Sequence, residues 1–166
     1  MSKISVLMSV YKKENPEYLR ASLESILVQT RTADEILLIE DGPLTQELYQ
    51  VVAEYQKKCD YLHVHAMEQN VQLGRALAKG VELCQYDLIA RMDTDDIAMP
   101  DRLEKEEAYM EAHPEVDVVG GAIREFNDEG TIDRVKNMPK TQEEILEYVK
   151  VRNPLNHMTC LLYTSD

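Results

Sequence analysis

Three aspartates stand within four residues of one another in the stretch ARMDTDDIAMPDR. They directly follow the apolar run YDLIARM, which is typical of a strand buried inside a sheet. Carboxylates crowded at the end of a buried strand repel one another and lose hydration, which is costly without a cation. Hard divalent cations such as Mg²⁺ and Mn²⁺ prefer oxygen ligands and commonly bind through one or two carboxylates plus substrate phosphates. Asp93, Asp95 and Asp96 therefore favour a site for a divalent cation that in turn holds a diphosphate.

The other interpretation of these aspartates is a solvated acidic turn, in which Asp96 caps the helix that follows. Spacing alone does not decide between the two interpretations. His63 and His65 form a second potential metal pair, but one face of a half-exposed strand explains them better.

Apolar periodicity predicts a regular alternation of strands and helices around the aspartates. Apolar runs predict strands at 4–10, 35–40, 61–67, 86–92, 116–123 and about 158–163. Amphipathic or capped stretches predict helices from Asn15 and Pro16 onwards, around 48–55, and over about 74–84, 100–113 and 141–151. A turn is predicted at 127–130, where the sequence reads NDEG. This alternation predicts βαβ units, and therefore one α/β domain with a mostly parallel central sheet flanked by helices.

The predicted strands run into polar residues at one edge of the sheet. In an open parallel sheet, ligands bind in the crevice beyond the carboxyl ends of the strands. The sequence has no GxxxxGK(S/T) loop, and SVYKKEN after the first strand contains no glycine, so the usual phosphate cradles are missing. A bound nucleotide would therefore depend on a cation for positive charge. The strand-end residues are Ser9 and Tyr11 after the first strand, Glu40 and Asp41 after the second, Asn70 and Arg75 after the third, and the aspartates after the fourth.

The composition excludes several classes of partner. With 18 basic and 31 acidic residues the formal net charge is −13, so nucleic acid and anionic lipid would be repelled. Three cysteines without a CxxC pair indicate reduced, buried thiols in a cytosolic protein. The apolar runs are too short to span a bilayer, and the first residues lead into a strand without a signal peptide. We expect a soluble, cytoplasmic segment with no nucleic-acid partner and no transmembrane helix.

Five blocks of the sequence are, in chain order, ISVLMSVYK, EILLIEDG, NVQLGRALAKG, ARMDTDDIAMPDR and NPLNHMT. Together they resemble the family 2 glycosyltransferases of the GT-A fold, and within these the bacterial enzymes of exopolysaccharide and amylovoran synthesis. The resemblance implies a Rossmann-like nucleotide-diphospho-sugar transferase fold, a nucleotide-sugar donor that is usually a UDP-sugar, and transfer with inversion. The acceptor would be a saccharide or a lipid-linked saccharide, and the cofactor Mn²⁺ or Mg²⁺. The full enzyme would be cytoplasmic, with peripheral association at the inner face of the plasma membrane.

The resemblance also implies roles for individual residues, by their position in the matching blocks. Tyr11 would pack on the nucleobase, and Asp41 would accept a hydrogen bond from the uracil N–H. Asp95 would ligate the metal as part of a DXD motif, whose first acid, Asp93, would face the ribose, while Asp96 would contact the sugar or support the ligands. The implied metal ligands are Asp95 and Asp93. The implied donor-binding residues are Ser9, Val10, Tyr11, Glu40, Asp41, Asn70, Arg75, Asp93, Thr94, Asp96 and His157.

The sequence departs from the family pattern at several positions. Glu40 stands where the family usually has Asp, and Gln72 stands where a glycine is common. His157 has two interpretations, a role near the diphosphate or the acceptor and a structural hydrogen bond. The family's catalytic base is expected beyond Asp166. The chain is therefore expected to be a single family 2 domain, residues 1–166, with the donor-binding part present and the acceptor part incomplete.

Two other functions share parts of this pattern. A phospho-receiver signalling module also gathers aspartates around Mg²⁺, and EILLIEDG resembles its acidic strand end. Such a module would need an acidic pair after the first strand, where the sequence reads SVYKK. A sugar nucleotidyltransferase would need a glycine-rich, basic loop at the same place. This one segment makes both alternatives less favoured than a glycosyltransferase.

Overall fold

The computed structural model describes residues 2–127 and 131–164, and these residues form eight strands and five helices. Most of the turn predicted at 127–130 lies outside the described residues. The strands are β1 (Ile4–Val10), β2 (Glu35–Glu40), β3 (Leu62–Ala66), β4 (Leu88–Arg91), β5 (Val118–Val119), β6 (Ile123–Phe126), β7 (Asp133–Lys136) and β8 (Leu161–Tyr163). The helices are α1 (Pro16–Leu27), α2 (Gln46–Lys58), α3 (Leu73–Leu83), α4 (Arg102–Ala112) and α5 (Gln142–Tyr148), with a short 3-10 helix at His157–Thr159.

The strands form one large sheet and one separate hairpin. The large sheet has the strand order β3-β2-β1-β4-β8-β5. Strands β1 to β4 pair in parallel, while β8 runs antiparallel to both of its neighbours, β4 and β5. The hairpin consists of β6 and β7. The predicted α/β fold with a mostly parallel central sheet is therefore confirmed.

The central strands are apolar throughout because both faces of the large sheet are covered. On one face, Ile4 and its alternate neighbours in β1 pack in the main core with buried residues of α1, α2 and α4. On the other face, Leu7 and Ile39 pack against Ala76 of α3. A Cβ atom at Gly80 would lie 2.3 Å from Cδ1 of Leu7, so glycine lets α3 approach the sheet closely.

Two helices, α1 and α5, begin at side-chain caps that the sequence indicates, whereas α4 begins at Arg102, two residues after the predicted start at Pro100. Asn15 caps α1, because its side-chain oxygen accepts a hydrogen bond from the Glu17 N–H at 2.8 Å, and Pro16 occupies the first helical position. Thr141 caps α5 through a reciprocal capping box with Glu144. None of the described helices is long and apolar enough to cross a membrane.

The strand predicted at 116–123 is wrong in its extent. In the structure β5 covers only two residues, and β6 belongs to the separate hairpin. The break falls at Gly121, whose N–H donates to Oγ1 of Thr159 at 2.9 Å and whose carbonyl accepts from Nδ2 of Asn156 at 3.2 Å. These two side chains occupy the backbone groups that a continuous strand would use in its ladder.

Candidate functional site

The carboxyl ends of β1, β2 and β4 meet at one edge of the sheet and border a cleft of about 470 Å³. Parallel pairing brings these ends together because the three strands run in the same direction. A more open hollow of about 540 Å³ beside α5 contains none of the predicted site residues. The cleft is lined by Ser9, Tyr11, Asp41, Asn70, Asp93, Thr94 and Asp95, which the strand ends or the family resemblance indicated, and by Glu14, Gln72 and Leu73.

Asp41 is held rigidly in one wall of the cleft. Its side chain is buried, with one oxygen accepting from the Val71 N–H at 2.6 Å and the other from Nδ2 of Asn70 at 2.9 Å. Gly42 next to it has φ +83°, and a Cβ atom there would lie only 2.5 Å from the Asn70 nitrogen. Glycine is therefore required where the end of β2 touches the segment that follows β3.

Gln72, also in the lining, has a backbone conformation that favours glycine. Its φ is +73° and its ψ is 153°, a backbone region that residues other than glycine rarely adopt. The family resemblance places a glycine at this position in most members. With glutamine there, the positive φ stores backbone strain at the edge of the cleft.

The cleft has an exposed ring after β1 and a buried hydroxyl after β4. Tyr11 lines the cleft and is 44% exposed, so its ring is accessible there. Thr94 is buried, and its hydroxyl donates to the Glu14 carboxylate at 2.6 Å. The Ser22 hydroxyl donates to the Asp93 carbonyl at 2.8 Å and so fixes the backbone of the aspartate stretch. Glu14 was missed in the sequence because it lies in a loop without periodicity.

The three aspartates form a compact cluster in which carboxylate oxygens lie within 4.8 Å of one another. Asp95 is exposed, while Asp93 and Asp96 are half-buried. Burial, with added repulsion from Asp93 and Asp95, raises the pKa of Asp96 to about 6. A donor set made only of carboxylate oxygens fits a hard divalent cation, which would relieve this repulsion. Asp96 does not cap α4, because Asp101 holds the N-cap position.

Arg91 is a member of this region that the sequence interpretation missed. It is the last residue of β4, it is buried, and its Nη2 lies 2.6 Å from Oδ1 of Asp93. A signal for it was present, because an arginine inside the apolar run YDLIARM is unusual for a fully buried strand.

Five of the predicted donor-binding residues are not part of the cleft lining within the described structure. Arg75 is exposed on the first turn of α3, and His157 is exposed on the 3-10 helix. Val10 and Glu40 are buried at the ends of their strands, and burial raises the pKa of Glu40. Asp96 belongs to the aspartate cluster rather than to the lining.

The raised pKa of Asp96 predicts a pH-dependent stability. Because this pKa is higher in the folded chain than in an unfolded one, the folded state binds more protons between about pH 4 and pH 6. The free energy of unfolding should therefore fall as the pH rises through this window. Asp96→Asn should remove the loss and stabilise the chain by about 1–2 kcal/mol at pH 8 in EDTA, with no gain at pH 4. Urea unfolding at both pH values checks this, and an equal gain at both would contradict it.

Solved structures define the class of this fold. Staphylococcus aureus TarS residues 1–349, in complex with UDP, superposes with a TM-score of 0.67 at 22% identity, over 83% of this chain and 38% of that chain. The mannosyltransferase PcManGT from Pyrobaculum calidifontis, in complex with GDP-Man and Mn²⁺, superposes with a TM-score of 0.66 at 16% identity, over 75% of this chain and 36% of that chain. At these identities the likeness concerns the fold alone. The fold is that of the GT-A glycosyltransferases.

Sequence comparison then gives the family. Residues 5–164 match the model described as "Glycosyl transferase family 2", and the chain belongs to this family. It is 48% identical over 158 residues to an uncharacterized glycosyltransferase of Haemophilus influenzae, covering 95% of this chain and 59% of that protein. It is 43% identical over 162 residues to the amylovoran biosynthesis glycosyltransferase AmsE of Erwinia amylovora, covering 98% of this chain and 60% of that protein. The chain thus spans about three fifths of the length of these relatives.

Proposed function

We propose that this chain is the donor-binding part of a metal-dependent, inverting glycosyltransferase that uses a UDP-sugar. The observation that carries the proposal is the cleft itself, in which Asp41 and the exposed Tyr11 share one lining with Asp93 and Asp95. It therefore combines a polar group and a ring suited to a nucleobase with acids suited to a cation. The complexes of TarS with UDP and with UDP-GlcNAc, and of PcManGT with GDP-Man and Mn²⁺, support this assignment.

In the proposed mechanism, the nucleobase lies on the β1 and β2 side of the cleft. Tyr11 stacks on the base, because its ring is open to the cleft. Asp41 accepts from the uracil N–H, since each of its oxygens keeps a second lone pair beside the hydrogen bonds that orient it. Ser9 also lines the cleft and would form part of the nucleobase pocket.

The diphosphate lies on the side of β4 in the same proposal. Asp95, as the exposed member of the cluster, and Asp93 would hold Mn²⁺ or Mg²⁺, with Asp93 also facing the ribose. A bound cation would act as a Lewis acid that neutralises charge on the leaving nucleoside diphosphate. Arg75, on the turn just after the lining residue Leu73, would reach towards the nucleotide from outside the cleft.

We also propose that residues 1–166 are one family 2 domain whose acceptor part and catalytic base lie in residues that follow. A carboxylate base must take the proton of the acceptor hydroxyl for inverting transfer, and its loss typically costs ~10²–10⁴-fold in rate. The acceptor in this proposal is a saccharide or a lipid-linked saccharide, and the full enzyme lies at the cytoplasmic face of the membrane; the similarity to the amylovoran biosynthesis enzyme AmsE supports a role in exopolysaccharide synthesis. A C-terminally extended version should therefore transfer sugar far faster than this chain with the same donor.

Calorimetric titration with UDP-, GDP- and ADP-sugars tests the donor assignment. We expect a UDP-sugar to bind in Mn²⁺ and to lose at least ~10-fold in affinity in excess EDTA, because the cation links the diphosphate to the aspartates. His63→Ala, on the exposed face of the edge strand β3, is the control and should bind like the native chain. Equal binding in EDTA would contradict the role of the metal, and a preference for another nucleotide would contradict the role of Asp41.

A further inference from the structure

Arg91 is buried with an incomplete set of partners. It is only 8% exposed, and its Nη2 forms an ion pair with Asp93. Its Nε and Nη1 atoms are buried without a hydrogen-bond partner among the described residues. A buried guanidinium normally satisfies most of its five N–H groups, so this arrangement is costly for the folded state. Replacing a buried ion pair with apolar groups of similar volume is often neutral or stabilising. Stability therefore does not explain why an arginine stands here.

The charge of the aspartate cluster offers an explanation. The three carboxylates, when ionised, carry three negative charges, and Arg91 contributes one positive charge directly beside them. A second arginine, the half-buried Arg102, also acts on the cluster through its charge. Its Nε donates to the Glu106 carboxylate at 3.1 Å and its Nη2 donates to the Arg91 carbonyl at 2.9 Å, so its guanidinium is held by these groups and not by an aspartate of the cluster. Counted by themselves, the three ionised carboxylates and Arg91 have a formal net charge of −2, equal and opposite to that of a divalent cation.

We infer that Arg91 is a positioning residue that makes cation binding depend on the nucleotide; this rests on the proposed function. Arg91 holds Asp93 in place before a cation arrives. Its positive charge also weakens the attraction of the cluster for a bare cation, because the guanidinium and the cation carry charges of the same sign and repel each other. The diphosphate of the donor supplies further negative charge that offsets the charge of Arg91, so the cation and the nucleotide bind tightly only together. A cluster without Arg91 would retain the cation alone and repel the diphosphate.

This inference predicts changes of opposite sign in Arg91→Met. Mn²⁺ alone, followed by electron paramagnetic resonance of the free ion, should bind about 3–30-fold more tightly than in the native chain. UDP at saturating Mn²⁺, followed by calorimetry, should bind at least ~10-fold more weakly, because Asp93 is no longer held and the site is more negative. Arg91→Lys keeps the charge and should leave the affinity for Mn²⁺ alone within about twofold of the native value. Lys105→Met removes the same charge from an exposed position on α4 and should change neither affinity.

The binding results distinguish a failure of the inference about Arg91 from a failure of the proposed function. Weaker binding of both Mn²⁺ and UDP in Arg91→Met would indicate a purely structural role and overturn the inference. Unchanged binding of Mn²⁺ alone would also overturn it, because the charge argument requires a gain. Should Arg91→Met not fold, as shown by thermal unfolding, Arg91→Lys decides, since a loss of affinity for Mn²⁺ alone in that variant contradicts the inference. If the native chain binds UDP equally with and without Mn²⁺, the proposed function fails, while the Mn²⁺ titrations still test Arg91.

Discussion

Asp95→Asn is expected to lower the affinity for a UDP-sugar in Mn²⁺ by at least ~10-fold. Asp95 is the exposed member of the aspartate cluster, and no ion pair engages it among residues 2–127 and 131–164. Its carboxylate is therefore open to a cation without the loss of a protein contact. Asparagine keeps the size and one oxygen but removes the charge, which is the main attraction for a hard divalent ion. The fold should be unaffected, because an exposed side chain without structural partners contributes little to stability.

Calorimetry with a UDP-sugar at fixed Mn²⁺ measures this effect. Asp60→Asn is the matched control, since it removes the same charge from an exposed position. Asp60 lies just before β3, at the amino ends of the parallel strands and therefore at the end of the sheet opposite the cleft. The control should bind donor like the native chain. Native affinity in Asp95→Asn would show that the cation, if any, is held by other groups.

Gly42→Ala is expected to destabilise the chain by about 2–4 kcal/mol and to weaken nucleotide binding strongly. Two effects add at this position. The φ of +83° is strained for alanine, and the new Cβ atom would lie 2.5 Å from the Asn70 backbone nitrogen. Backbone atoms cannot rotate away as a side chain would, so the segment after β3 must move. That movement would break the hydrogen bonds from Asn70 and Val71 that orient the Asp41 carboxylate.

Urea unfolding measures the loss of stability, and titration with UDP measures the loss of binding. Gly74→Ala provides the control, because nothing lies within 4 Å of a Cβ atom there and the residue is in the first turn of α3. Alanine favours the helix at that position, so the control should be as stable as the native chain or up to about 1 kcal/mol more stable. Equal unfolding midpoints for Gly42→Ala and the native chain would contradict the prediction.

Elements whose signals are local were predictable from the sequence. The bounds of β1 and β2 follow from runs of apolar residues that end abruptly at polar ones, because both strands are buried on both faces. The start of α1 follows from Asn15 and Pro16, which act within their own turn. The meeting of Asp41 with Asp93 and Asp95 follows from a rule of topology, that parallel strands end at one edge.

Elements that depend on distant partners were not predictable. The end of β5 is imposed by Thr159 and Asn156, which bind Gly121 from far along the chain. The β7 strand is exposed and charged, so its sequence carries no apolar period. The antiparallel direction of β8 cannot be read from its residues, because periodicity is the same in either direction. Arg91 was missed for a related reason, since its importance lies in the neighbours it has in space.

The insertion of β8 between β4 and β5 has a consequence for synthesis on the ribosome. Strands β1 to β4 pair in parallel with one another, and apart from β4 they have no strand partner outside this group among the described residues, so this part of the sheet can assemble as the nascent chain emerges. The free edge of β4 must then wait for β8, since residue 88 pairs with residue 163. At about 5–20 residues per second, this delay amounts to several seconds. During that interval the open edge is a template for wrong pairing with other nascent chains, and a chaperone that shields it would raise the yield of folded protein.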